Sequence, residues 1–108
     1  MKIKNRVKSQ QDFSKVIKNS KGYKSQDFVL HYLKTDLGYS RVGIAVSNKL
    51  GNAVVRNRTK RQIRPIVDSL VDYDKQSLDI ILIVKNSFLS KNHEEQVNSL
   101  KSVLVNIL

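Results

Sequence analysis

Residues 78 to 85 read LDIILIVK, with five aliphatic side chains in unbroken succession between Asp79 and Lys85. A strand with one wet face alternates apolar and polar residues, so a run without alternation is a strand covered on both sides. The run is far too short to cross a bilayer. It therefore belongs inside a sheet, and every other element has to be arranged around it. At 108 residues the chain has the length of one domain, 1–108, with a single core.

The segments on either side have clear periodicities. In SQQDFSKVIKNSKG, Ser9 can cap a short helix that puts Phe13, Val16 and Ile17 on one face, and Gly22 follows its end. DFVLHYLKT has strand character, with Phe28, Leu30 and Tyr32 on one face and Val29, His31 and Leu33 on the other. After the turn DLGYS, RVGIAVS places Val42, Ile44 and Val46 opposite the small Gly43, Ala45 and Ser47. Two strands separated by so short a turn are expected to pair as a hairpin. SFLSKNHEEQVNSLKSVLVNIL closes the chain as an amphipathic helix, with Ser90 as its expected cap and Val97, Leu100, Leu104 and Ile107 on its buried stripe. Helix, strands, helix, strand, helix is the order of an α/β two-layer sandwich.

Charge narrows the partner. The formal net charge is +11, and it is unevenly placed: residues 1–64 carry sixteen basic and three acidic side chains, residues 65–108 four and six. Such an excess points to a polyanion, with nucleic acid first, and to a contact surface in the first two-thirds of the chain. The absence of cysteine excludes a disulfide framework and a thiolate metal site and is compatible with the cytoplasm. MKIKNRVKSQ is basic but no long apolar stretch follows, so it does not read as a secretory signal. No apolar helix face accompanies the basic half, which argues against a membrane-surface partner.

The densest charge is RNRTKRQIR, residues 56–64, with five basic side chains and no acid. If Asn52 caps a helix starting near Ala53, then Val55, Thr59, Ile63, Val67 and Leu70 recur at spacings of three and four and form its inner face. Arg56, Lys60 and Arg64 then make an outward ridge, with Asn57 and Arg61 in a row beside it. A charge run is usually a solvated face, but a solvated helix mixes signs to limit self-repulsion, and no carboxylate at i+4 does so here. Arginine dominates in this segment, which suits bidentate phosphate contact.

The longer block RVGIAVSNKLGNAVVRNRTKRQIR resembles the signature of the bacterial ribonuclease P protein subunit: a strand, a basic pair, Gly-Asn-Ala-Val, then Arg-Asn with Lys-Arg and a further Arg on successive turns. The likeness extends upstream through DFSKVIK and FVLHYLK. It implies a fold of the ribosomal-protein S5 domain 2 type, in which the basic helix sits in a left-handed βαβ crossover; right-handed crossovers are the strong default. It also implies an accessory to a catalytic RNA that removes the 5′ leader from precursor tRNA with magnesium held mainly by that RNA. The chain would then bind ribonuclease P RNA and the leader, but not DNA.

Under the resemblance, Arg56, Asn57, Arg58, Lys60, Arg61 and Arg64 match the family's RNA-contacting helix, and Lys49 a basic position just before it. Asn48 stands where the family usually has Lys. Pro65 replaces a polar helix former and removes the amide that would bond the Arg61 carbonyl, at about 3 kcal/mol in a continuous helix, so a kink near Arg61 to Pro65 is expected. The family's leader cleft, between the first helix and the sheet, maps to Phe13, Ile17, Val29 and His31. Ile17 and His31 stand where aromatic rings are common, and Tyr32 is displaced to the next position and so to the opposite face.

Catalytic residues and a protein-held metal are not expected. A metal nuclease needs several convergent carboxylates, or His with carboxylates, whereas Asp68, Asp72, Asp74, Glu94 and Glu95 lie in the charge-poor part and His31 and His93 on different elements. Two other readings remain at this point. A general RNA-binding or ribosomal-type protein explains the charge but not the specific block after GNAVV. A helix-turn-helix DNA-binding module conflicts with the apolar strand and lacks a helix pair around a tight turn.

Overall fold

The computed structural model describes all residues 1–108. Its four strands are β1 (Tyr23–Lys24), β2 (Phe28–Lys34), β3 (Arg41–Val46) and β4 (Leu78–Val84). Its helices are α1 (Gln10–Lys18), α2 (Ala53–Leu70), α3 (Asn86–Leu89) and α4 (His93–Leu104), and short 3-10 turns stand at Ile3–Asn5 and Asn48–Leu50. The strand order is β1-β2-β4-β3, so the apolar run is an interior strand, as its composition requires.

β4 runs antiparallel to β2, from Phe28↔Val84 to Lys34↔Leu78, and parallel to β3, from Arg41↔Asp79 to Val46↔Val84. The hairpin expected between β2 and β3 does not form. The most apolar strand enters between them, where both its edges and both its faces are satisfied. Residues 35–40 open around its lead-in instead: Thr35 N–H donates to Ser77 O at 2.9 Å and Ser40 N–H to Tyr73 O at 2.7 Å. The buried Ser40 hydroxyl donates to Gln76 O at 2.8 Å and accepts from Leu78 N–H at 3.1 Å. The parallel pair β3 and β4, joined through α2, is the βαβ unit implied by the resemblance.

Alternation along β4 feeds two cores. Leu78, Ile80, Leu82 and Val84 join Phe28, Leu30, Val42 and Ile44 beneath Ile63, Ile66 and Val67 of α2 and Leu100, Val103 and Leu104 of α4. The Phe28 and Phe88 rings tilt at 60° with centroids 4.9 Å apart, a contact of about 0.5–1.5 kcal/mol beyond area burial. On the other face Ile81 packs with Val7 and Val16, and with the half-buried Phe13, Leu33 and Ile83, under the single short helix α1. One face is thus fully roofed by two long helices and the other only partly covered.

Both early caps stand where the sequence places them: Asp12 N–H donates to Ser9 Oγ at 3.1 Å, and Val55 N–H to Asn52 Oδ1 at 3.0 Å. The last helix differs. It breaks into α3 and α4, and the cap is Asn92, not Ser90, in a capping box with Glu95 whose reciprocal bonds are 2.9 and 3.0 Å. The break lets Phe88 turn into the core. α2 continues through Pro65 as one helix from Ala53 to Leu70. Pro65 is exposed, so its ring meets solvent, while Ile63, Ile66 and Val67 hold the inner face on the sheet.

Gly43 sets the height of α1. A methyl group there would lie 2.6 Å from Phe13 Cζ and 2.8 Å from Ile81 Cδ1. Gly43→Ala is therefore expected to push the Phe13 ring off the sheet and cost about 1–3 kcal/mol, read as a lowered unfolding midpoint.

Candidate nucleic-acid interface

The inner face of α2 is as the periodicity requires, with Thr59, Ile63 and Val67 buried and Val55 and Leu70 half-buried. The Thr59 hydroxyl satisfies itself on its own helix, donating to Val55 O at 2.8 Å. With that face fixed, Asn57, Arg58 and Arg61 are exposed, whereas Arg56, Lys60 and Arg64 lie half-buried along a flank. The outward ridge proposed from the sequence is thus the flank, and the row beside it is the crest. Asn57, Lys60, Arg61 and Arg64 together line a shallow concavity of about 390 Å³ with no apolar residue.

This charge has no internal counterpart. Among all lysines and arginines only Arg41 and Lys91 lie within 4.0 Å of a carboxylate. Arg41 shows what a compensated arginine looks like: it forks onto Asp79 at 2.8 and 2.6 Å, and the hydrogen bond raises its guanidinium above the ordinary value against the effect of burial. Arg64 is the opposite case. Burial, then the charge of Arg6, lowers it from the ordinary arginine value, and no acid relieves it. It remains charged in a setting that disfavours charge, which an incoming anion would reverse. Arg56 is held in place by a bond from Nη1 to Gly51 O at 3.3 Å. Lys49, in the turn that leads into the helix, is exposed.

The second predicted group gathers on the sheet face that α1 half covers. Pairing puts His31, Ile81 and Gly43 in one row across the strands, and Val29, Ile83 and Ala45 in the next. Phe13 lies over the first row beside Gly43 and Ile81. Ile17 is 39% exposed on the rim of α1, and Val29, Ile83 and Ala45 are only half-buried, so an open strip runs alongside the helix. His31 Nδ1 lies 2.8 Å from Ser20 Oγ, which fixes the ring with its Nε2 edge toward Gly22. Tyr32 is on the opposite face, as its displacement implies, where it lines a concavity with Asn106 and Ile107.

Sequence reasoning missed Arg6, Lys24, Ala45 and Ile83. Arg6 joins β3 through a bridge to Val42, and Lys24 enters the open face through its pairing with Val29. Neither pairing leaves a periodic signal in the segments concerned. No three His, Asp or Glu side chains converge anywhere to hold a metal. Asp68, one of the Asp68, Asp72 and Asp74 group, accepts a 2.7 Å bond from Tyr73 Oη. Burial, with that bond, pushes the Tyr73 phenol well above its ordinary value, so it stays a neutral donor.

Uncompensated arginines along one helix, a half-open strip beside α1 and no metal-holding group of acids define a small α/β protein suited to a polyanionic partner. The family model for ribonuclease P matches residues 1–108, and the chain belongs to the ribonuclease P protein family. Among curated relatives, the ribonuclease P protein component of Mesoplasma florum is 36% identical, with 100% of this chain and 99% of the relative covered. That of Streptococcus agalactiae is 39% identical, with 96% and 94% covered. Among solved structures, the Staphylococcus aureus RNase P protein superposes with a TM-score of 0.81 at 32% identity, over 94% of each chain. The Thermotoga maritima protein superposes with a TM-score of 0.82 at 26% identity, over 95% of this chain and 97% of its own. The chain is therefore a protein subunit of ribonuclease P, the ribonucleoprotein endonuclease of tRNA processing in which the RNA is catalytic, and its partner is the ribonuclease P RNA.

Proposed function

We propose that the crest and flank of α2, from Lys49 through Arg56, Asn57, Arg58, Lys60, Arg61 and Arg64, hold the ribonuclease P RNA, while the open strip beside α1 receives the single-stranded 5′ leader of precursor tRNA. The observation that carries this division is the contrast between the two surfaces. The α2 concavity has no apolar lining and suits phosphates. The strip offers an aromatic ring, an imidazole and aliphatic side chains, which suit unstacked bases. Both surfaces meet at one end of the sheet, because β3 ends there and α2 begins just beyond it. RNA and leader are then held side by side, and the protein acts by neutralising phosphates and fixing the leader's path.

The donor set does not fit a protein-held magnesium ion, since no three candidate ligands converge. In this reading the magnesium of the reaction is held by the RNA. The partner is RNA rather than DNA, and the role belongs in the cytoplasm; no helix is long and apolar enough to cross a membrane.

The test separates the strip from the helix. Phe13 and His31 replaced together by Ala should lower affinity for precursor bearing a leader roughly tenfold, about one stacked base, and leave mature tRNA and the RNA subunit bound as before. Equal discrimination between precursor and mature tRNA in the variant and the wild type, at an intact unfolding midpoint, would remove the leader from the strip.

A further inference from the structure

The open strip does not stop at β2. Lys24 of the edge strand β1 pairs with Val29, which pairs with Ile83, which pairs with Ala45, so these four residues form one row on the α1 side of the sheet. At the usual strand spacing the row spans about 14 Å. Its Ala45 end lies toward Lys49 and the start of α2, and its other end is Lys24, at the free edge of the sheet. Residues 13–26, which contain the second half of α1, the following loop and β1, hold Lys15, Lys18, Lys21 and Lys24 and no acid. None of these lysines pairs with a carboxylate, and Lys18, Lys21 and Lys24 are all exposed. Gly22 lies between Lys21 and Lys24 and folds over Val29 and His31, which anchors the loop to the strip itself.

We propose that Lys18, Lys21 and Lys24 form a phosphate-binding exit at the β1 edge, which takes the backbone of leader nucleotides lying beyond the strip, on the side away from α2. The inference rests on the strip's being the leader site. Its physical basis is the chemistry of a single strand crossing such a row: bases stack over the apolar middle, and the backbone emerges at the edge with its charge uncovered. A basic cluster without acids at that point offsets the charge; Lys24 can also guard the free β1 edge against pairing, but Lys18 of α1 and Lys21 of the loop lie off the strand, where edge protection does not call for them. The exit gives the strip a direction, from α2 toward β1, and makes affinity depend on leader length.

The experiment compares precursor tRNAs with leaders of about two and about ten nucleotides, the shorter ending within the ~14 Å row and the longer passing its edge. Each is bound by holoenzyme assembled from the wild-type protein or from the variant with Lys18, Lys21 and Lys24 all replaced by Ala. Wild type should bind the longer leader more tightly. The variant should lose most of that gain, with a salt slope smaller by about 2 for the long leader only, and should bind the short leader and the RNA subunit unchanged. Arginine at the same three positions should restore the gain. The exit is overturned if the variant keeps the full gain, or if it weakens binding to both leaders and the RNA subunit alike. Should wild type itself fail to distinguish precursor from mature tRNA, the strip reading falls, and the exit falls with it. The unfolding midpoint, expected to stay at the wild-type value because all three side chains are exposed, shows that the variants are folded.

Discussion

Alanine at Lys60, Arg61 and Arg64 together should lower affinity for the ribonuclease P RNA by two orders of magnitude or more at low salt. Hydrogen bonds to charged groups contribute about 1.5–3 kcal/mol each, and three of them lost together amount to roughly 4 kcal/mol or more even with partial compensation by neighbours. The same variant should have a flatter salt dependence, its slope of log affinity against log salt smaller by between about 2 and 3. Folding should persist, because none of the three belongs to the core, although the half-buried stem of Arg64 contributes a little packing. Filter binding or calorimetry over a salt series measures both quantities. An unchanged slope would show that these residues are solvated and make no phosphate contact.

The second large effect concerns stability. Asp27, 2% exposed, accepts bonds from Ser87 Oγ and Ser99 Oγ at 2.5 Å each and lies 3.7 Å from Lys91 Nζ. Its carbonyl accepts from Lys85 N–H at 2.8 Å, so one residue fastens the start of β2 to the end of β4, to α3 and to α4. Asp27→Ala takes the carboxylate from the half-buried Ser99 hydroxyl and Lys91 ammonium, while Ser87 Oγ keeps only Gln26 O at 2.9 Å, and it opens a hole where the buried side chain stood. We expect a loss of about 3 kcal/mol, and a fall in unfolding midpoint of more than about 10 °C in a domain of this size. The salt slope of RNA binding, measured below the transition, should match wild type, since no α2 arginine is touched. A midpoint within a degree or two of wild type would mean that water replaces the network without cost.

How much of this was legible in the sequence depended on whether the information was local. Ser9 and Asn52 were readable as caps because a cap bonds an amide three residues away. The buried side of α2 was readable because 3.6-residue periodicity is a local property. The same reasoning failed for β2 and β3, where a short turn argues for a hairpin and only the competition for the interior position decides otherwise. Ser90 was read as the cap on its residue type alone; Asn92 takes the role because Glu95 stands at the right spacing to complete a capping box with it. The kink at Pro65 was argued from a lost amide and from the restricted backbone at Arg64, and the helix that contains it is continuous from Ala53 to Leu70. Within the candidate interface the helix was readable as charge at a period, and the strip only through the family resemblance. Its rows depend on pairings between residues more than fifty positions apart, such as Val29 with Ile83.

The placement of β4 also governs how the chain can assemble. β2 and β3 are complete by residue 46, but the strand that joins them begins at residue 78, so neither finds its long partner until two-thirds of the chain is available. During synthesis both are sticky, unpaired edges waiting on a later segment, and the non-local closure they await is the kind that slows folding and invites misassociation. α2 matures inside that interval, since its residues precede β4. Its unmatched positive charge is therefore present while the sheet is still open, and charge of one sign disfavours contact between copies of the chain.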